Sequence, residues 1–284
     1  MVHAVVLAGV VAVMPLVFGG WRRWAVAGAA VVTSFLLPVG AASAAAASVW
    51  LMVALWVVVP WTATRCSRIS MDRPITMNRA ISAELAPIVA ALFAAAFAVV
   101  AASAFVQSRA GMSLFGIGEP IVELTAVHFS YAGVGAVTLA GVVAVDRVGR
   151  LGLLATVAAP PLVAIGFVVS HPLPQVGGAV LMSAGVLTTA ALQLREVAVG
   201  AAARRVLLTL SGLAPWVPMA LAVAWATSMY WDVPALSVPD MARTHGVMNV
   251  VFVVAGLLAR RAVLEGSNPG SAPTGPTRVI EVQP

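Results

Sequence analysis

The chain has 284 residues, of which 61% are hydrophobic and 9% are charged, and its mean hydropathy is +1.02. Because soluble domains carry about 25% charged residues, this composition excludes a soluble fold and indicates an all-α bundle of transmembrane helices. The formal net charge of +6 comes from arginines scattered between apolar blocks. That distribution excludes a nucleic-acid-binding surface and is typical of a topology signal.

Nine apolar blocks predict nine transmembrane helices. In chain order they cover about 3–20, 24–40, 43–63, 84–107, 119–145, 151–170, 175–194, 206–230 and 240–259. Pro38 and Gly40 are the only helix-breaking residues between the second and third blocks. If they did not interrupt the helix, the two blocks would form one helix and the total would be eight. The helical domain is expected to cover 1–265. The remaining 266–284 are rich in Gly, Pro, Ser and Thr, which predicts a disordered tail.

The arginines favour nine helices over eight and predict an orientation. With nine alternating helices, all of the sixteen arginines except Arg109 and Arg243 fall on one side of the membrane. The positive-inside rule then places the N-terminus outside and the C-terminus inside the cell membrane. Eight helices would mix the arginines between the two sides.

The fifth block begins with the sequence GEPIVELTAVHFSYAG, which is unusually polar for this chain. An ionisable side chain inside a transmembrane helix costs roughly 2.5–3.5 kcal/mol on insertion scales, so each one is a functional candidate. Gly-Glu-Pro predicts a helix start, with Glu119 near the N-cap and Pro120 at the first helical position. Glu119 and Glu123 share one helical stripe, and His128 and Tyr131 share another about 140° away. Whether Glu123 and His128 open into one pocket is therefore an open question.

A second polar segment begins the ninth block, at 239–249. Asp240 is the expected N-cap, Arg243 lies in the first turn, and Asn249 follows His245 by one turn. We expect Asp240, Arg243 and Asn249 to contact substrate.

The rise per residue of an α-helix places His128 and His245 at similar depths in the membrane. His128 lies roughly 28 Å from Arg147 along its helix, and His245 roughly 22 Å from Arg260. Both depths correspond to the outer half of the hydrocarbon layer or to its outer edge, so the sequence predicts a polar pocket that opens toward the outer leaflet.

The two polar segments carry a family resemblance. FGIGEPIVELTAVHFSYAG (115–133) and DMARTHGVMNVVFVVAGLLA (240–259) resemble the two hallmark segments of the YndJ-like integral membrane proteins. The resemblance implies a helical fold with several spans, but it brings no defined activity. Ser130 stands where that family is expected to have a second histidine, so no role of such a side chain is implied. The resemblance points to Glu119, Glu123, His128, Tyr131, His245 and Asn249.

The leading functional hypothesis is a membrane-embedded enzyme that acts on a lipophilic substrate. A carboxylic acid in an apolar pocket can protonate an alkene or an epoxide, which makes Glu123 the expected acid. His128 and His245 would then act as base or orienting groups, and Tyr131 would stabilise a cation. Cyclisation or epoxide opening of an isoprenoid chain is such a reaction. It implies membrane lipids and a lipophilic molecule as partners, with no cofactor, metal or nucleic acid.

Two alternatives remain open at the level of sequence. Intramembrane Glu and His residues also form proton relays, so a transporter or proton-coupled permease is one alternative, although no internal repeat is visible. The other alternative is a b-type haem with His128 and His245 as axial ligands, since their estimated depths differ by only about 6 Å. The enzyme ranks first because the ionisable groups are few, clustered and embedded in apolar surroundings.

Overall fold

The computed structural model describes residues 2–71, 80–113, 115–198 and 200–266. Within these ranges the chain forms nine helices and no strand, and the predicted tail lies beyond the described residues. The helices are α1 Val2–Phe18, α2 Trp21–Leu36, α3 Ala41–Met71, α4 Ala80–Ala110, α5 Ile121–Val143, α6 Arg147–Val169, α7 Pro172–Arg195, α8 Ala202–Ser228 and α9 238–266.

Seven of the described helices, α3 to α9, are long and apolar enough to cross a membrane. This finding confirms the prediction of a transmembrane helical fold. The predicted break between the second and third helices is also present, because α2 ends at Leu36 and α3 begins at Ala41. The first two helices are shorter than the other seven. Gly19 and Gly20, with φ of 75° and 74°, end α1 in a left-handed conformation that glycine adopts without strain.

Side-chain contacts at both ends of the bundle fit an alternating helix order. Arg109, at the end of α4, bonds to the turn between α2 and α3. Arg261, in the last turns of α9, lies over Trp21 at the start of α2. We call the end that holds the starts of α1, α3, α5, α7 and α9 the histidine end, and the opposite end the arginine end.

Three helices have an N-cap side chain that accepts a backbone N–H. Asp146 accepts from the N–H of Gly149 at 2.8 Å to start α6, and Ser237 accepts from Asp240 at 3.3 Å to start α9. His171 accepts through Nδ1 from Leu173 at 3.2 Å and is followed by a proline that suits the first turn of α7.

Helix α5 is the most enclosed of the seven long helices, since 72% of an 18-residue stretch of it is buried inside the protein. From Phe129 to Ala136 its hydrogen bonding widens to the π-helical pattern. Two glycines in this segment allow close packing. A Cβ on Gly133 would lie 2.7 Å from Phe97 of α4, and one on Gly135 would lie 2.2 Å from Val253 of α9. The position of α5 against its neighbours therefore depends on glycine at these sites.

Replacing Gly135 by alanine is expected to destabilise the protein by about 1–3 kcal/mol, because the new methyl group overlaps Val253. The free energy of unfolding in detergent measures this change. In the double variant Gly135→Ala/Val253→Ala the loss should be smaller than the sum of the two single losses. Gly177→Ala is the control, since a Cβ there has no neighbour within 4 Å. Simple additivity at Gly135 and Val253 would contradict the close contact.

Candidate functional site

His245 lies in a π-helical segment of α9, Ala242–Gly246, and its side chain is half-buried. Its Nδ1 is 2.8 Å from the carbonyl oxygen of Pro218 in α8. A carbonyl oxygen only accepts, so Nδ1 carries the hydrogen, and in the neutral ring Nε2 carries the lone pair. Among the described residues Nε2 has no hydrogen-bond partner. The arrangement presents Nε2 as an oriented base or ligand.

His128 lies in α5 immediately before its π-helical segment, and its side chain is exposed. Its ring meets the edge of Phe129 at a centroid distance of 6.1 Å. His128 and His245 are close enough for a charge on one ring to repel a charge on the other. Within the described part of the chain, neither nitrogen of His128 has a hydrogen bond. The two imidazoles, one from α5 and one from α9, thus lie within electrostatic range of each other, and no hydrogen bond among the described residues joins them.

Asn249 stabilises the backbone at His245 and makes no hydrogen bond to its ring. Its Nδ2 donates to the carbonyl oxygen of His245 at 2.9 Å, which satisfies a backbone acceptor beside the π-helical segment. π-Helical turns are costly and occur frequently at functional sites. Both histidines stand at or next to such a turn.

Asp240 and Arg243 contact each other at the start of α9. Arg243 Nη1 donates to Asp240 Oδ1 at 3.2 Å, and Ser237 Oγ donates to Asp240 Oδ2 at 2.7 Å. Their side chains are 51% and 67% exposed. The expectation that Asp240 is the N-cap is wrong by three positions, because Ser237 caps the helix through its hydroxyl oxygen, and the same hydroxyl donates to the Asp240 carboxylate. Contact of Asp240, Arg243 or Asn249 with substrate stays a prediction.

A second ionisable cluster lies at the start of α5. Oε1 of Glu123 is 3.6 Å from Nε2 of His3 in α1, and this buried oxygen has no hydrogen bond. The ring of His3 stacks on Phe35 of α2 at 3.8 Å. Oε2 of Glu119 accepts from the N–H of Glu123 at 3.3 Å, so Glu119 lies near the N-cap as predicted and satisfies a backbone donor of the first turn. The helix begins one residue later than predicted, because Pro120 occupies the N-cap position.

Arg109 stabilises the helix packing around this second cluster. Its guanidinium is buried and donates to Ser43 Oγ at 2.8 Å, to the Ser34 carbonyl at 2.9 Å and to the Leu37 carbonyl at 3.1 Å. It also lies 5.5 Å from the centre of the Phe35 ring. Arg109 therefore fixes the turn between α2 and α3, and with it the ring on which His3 stacks.

The two clusters occupy different sides of α5. Glu123 faces His3 of α1, whereas His128 lies within electrostatic range of His245 of α9. Tyr131 is buried, and its hydroxyl donates to the carbonyl of Val5 at 3.0 Å, which ties α5 to α1. No hydrogen bond or ion pair of the described residues joins Glu123 to His128. No group of three or more metal-ligating side chains occurs among them either.

Comparison with known protein families gives one match. The model of the family described as YndJ-like protein matches residues 4–253, a range that covers most of the chain and contains both clusters except for His3. No curated protein and no solved structure matches the chain significantly. The resemblance carried by the two polar segments is thereby confirmed.

Proposed function

The chain belongs to the YndJ-like family, and from that premise we propose that it is an integral membrane enzyme acting on a lipophilic substrate. The acid–base groups are His128 and His245. One observation carries the proposal: Nδ1 of His245 is held by the Pro218 carbonyl, which leaves Nε2 open, and the exposed ring of His128 lies within electrostatic range of this ring. A histidine oriented through one nitrogen is suited to transfer a proton at the other.

The proposed topology has nine crossings of the cell membrane, with the N-terminus outside and the C-terminus inside. Every arginine with a described side chain lies at the arginine end, except Arg109 and Arg243. Helices α1 and α2 are about 25 Å and 24 Å long, which a slightly thinned bilayer accommodates. The two histidines then lie in the outer half of the membrane.

Exposure of His128 supports a substrate that arrives from the lipid. An exposed side chain on a transmembrane helix meets acyl chains, which offer no hydrogen bond to the ring nitrogens. A lipophilic molecule with one polar group would supply that hydrogen bond. We therefore infer lateral entry from the outer leaflet and not passage across the membrane.

The proximity of the rings suits them to opposite roles. We propose that during the reaction one ring carries a proton and the other is neutral, because two imidazolium ions within electrostatic range repel each other. The protonated ring donates its proton to an epoxide oxygen, and a carbon–oxygen bond breaks. A double bond of the same isoprenoid chain then attacks the released carbon. The neutral ring removes a proton beside the new cation, which forms a double bond, so the product is an isomer of the substrate.

Purified protein in nanodiscs tests the proposed activity. The two substrates are an epoxidised farnesyl ester and a total membrane lipid extract, and the products are measured by liquid chromatography with mass spectrometry. We expect the wild-type protein to convert the ester, or one component of the extract, to an isomer. The double variant His128→Gln/His245→Asn should not do so. Equal conversion by the two proteins would contradict the proposal.

The variant Glu123→Gln tests whether the cluster around Glu123 contributes to the proposed reaction. Because Glu123 faces His3 on another side of α5, this variant is expected to keep conversion within about 10-fold of the wild-type rate. The rate of isomer formation in nanodiscs is the measurement. A loss as large as that of the histidine variants would instead make Glu123 the acid, as its position in an apolar helix first indicated.

A b-type haem held by both histidines is the second candidate. The bond from Nδ1 of His245 to a backbone carbonyl is an arrangement that metal-bound histidines also use. An absorption spectrum of the purified protein tests it. A Soret band that is lost in His245→Asn would favour haem, and its absence after addition of haemin would exclude it.

A further inference from the structure

The pair of His3 and Glu123 at the histidine end joins an exposed ring to a buried carboxylate oxygen. The side chain of His3 is 59% exposed and that of Glu123 is 16% exposed, and Oε1 of Glu123 is buried without a hydrogen bond. Nε2 of His3 lies 3.6 Å from this oxygen, which is too far for a hydrogen bond. A buried carboxylate oxygen without a hydrogen bond is costly, so a proton between the two atoms would stabilise the contact.

The charges that act on Glu123 come from three parts of the fold. Glu123 interacts electrostatically with His3 and the amino-terminal charge, with Glu119 in the turn before α5, and with Arg109 at the end of α4. The hydrogen bonds of Arg109 go to the turn between α2 and α3, and none of them reaches Glu123. Histidine is the side chain that ordinarily changes charge between about pH 5 and 8. His3 is therefore the group that makes this contact depend on pH.

The contact joins the first turn of α1 to the first turn of α5. Farther along the two helices, the hydroxyl of Tyr131 donates to the carbonyl of Val5 at 3.0 Å. The ring of His3 stacks on Phe35 of α2 at 3.8 Å, so its charge develops at a defined position. Since Tyr131 holds the middle of α1 against α5, the contact of His3 with Glu123 acts on the first turn of α1 only.

We propose that His3 and Glu123 form a pH-sensitive ion pair that holds the first turn of α1 on α5 when the solution at the histidine end is acidic. Nε2 takes a proton from solution and donates to Oε1, and side-chain rotation shortens their distance from 3.6 Å to about 2.7–2.9 Å. As the pH rises, the ring loses its charge and the stabilisation is lost. At still lower pH the carboxylate takes up a proton of its own, which also ends the ion pair. This contact is independent of the proposed enzymatic activity.

Hydrogen exchange of the protein in nanodiscs, measured by mass spectrometry, tests the ion pair. Wild type and His3→Gln are compared at the same pH, so the pH dependence of chemical exchange cancels. We expect the backbone amides of 5–8 to exchange at least 5-fold more slowly in wild type than in His3→Gln near pH 6. Near pH 8 the two proteins should agree within 2-fold. Exchange in α7 is the internal reference, since a global loss of stability would change it too.

Variants at Glu123 and at another histidine complete the test. Glu123→Gln should also lose the protection of 5–8 near pH 6. The double variant His3→Gln/Glu123→Gln should lose no more than either single variant, because both changes remove one contact. His171→Asn removes a different histidine at the same end and should behave as wild type in 5–8. Equal ratios at the two pH values, protection that persists in Glu123→Gln, or equal losses in α1 and α7 would overturn the proposal.

Discussion

Replacing His245 by asparagine is expected to lower the rate of isomer formation at least 100-fold. The asparagine amide reaches the position of Nδ1 and keeps a donor for the Pro218 carbonyl, but it has nothing in place of Nε2. General acid–base groups typically contribute 10²–10⁴-fold to a rate, so the loss should be large although the fold is kept. The rate in nanodiscs and the unfolding midpoint are measured on the same preparation.

His171→Asn is the control for this experiment. His171 lies at the same end of the bundle and caps α7 through a ring nitrogen, a contact that asparagine also provides. It should keep both the rate and the stability. If His245→Asn keeps its fold and its rate stays within 3-fold of wild type, His245 takes no part in the proposed reaction.

Replacing Arg109 by methionine is expected to lower the free energy of unfolding by about 3 kcal/mol, the largest stability effect that we predict. The change leaves the Ser34 and Leu37 carbonyls without their guanidinium donor, and bonds to charged groups contribute about 1.5–3 kcal/mol each. Removal of the buried charge offsets part of this loss. Unfolding in detergent by chemical denaturant is the measurement.

Arg243→Met is the matched control, because Arg243 is the other arginine at the histidine end. Its side chain is 67% exposed and pairs only with Asp240 among the described residues, so the loss should stay below about 1 kcal/mol. Equal losses for the two arginine variants would show that the buried contacts of Arg109 contribute little.

Helix positions could be predicted from the sequence because each one depends on local composition. The break after Leu36 and the start of α5 near Pro120 follow from turn and cap residues in the chain itself. The cap of α9 could also have been predicted. Ser237 and Asp240 have the spacing of a capping box, a stronger signal than an isolated aspartate.

The clusters themselves depend on contacts between helices that are distant in sequence. His3 appears as an isolated polar residue near the N-terminus, and only the packing of α1 against α5 brings it to Glu123. Arg109 is a single basic residue at the end of an apolar helix, and its burial depends on a turn some seventy residues earlier. Local patterns carry no information on such pairings.

Helical periodicity could place Glu123 relative to His128 but was a poor guide to Tyr131, because only Tyr131 lies inside the π-helical segment of α5. The stripe calculation assumed 100° per residue along α5, but the hydrogen bonding widens from Phe129 to Ala136. Apolar residues surround that segment on every side, so the pattern of hydrophobicity does not reveal it. Even so, the calculated separation of Glu123 from His128 agrees with their different neighbours.

The most direct test of the central claim is whether His128 and His245 act as one unit. Isomer formation is measured in nanodiscs for wild type, His128→Gln, His245→Asn and the double variant. Groups that share one proton-transfer step are strongly non-additive, so the double variant should be no more than about 3-fold slower than the slower single variant. Losses that multiply, or single variants as fast as wild type, would contradict the assignment of the chemistry to this pair.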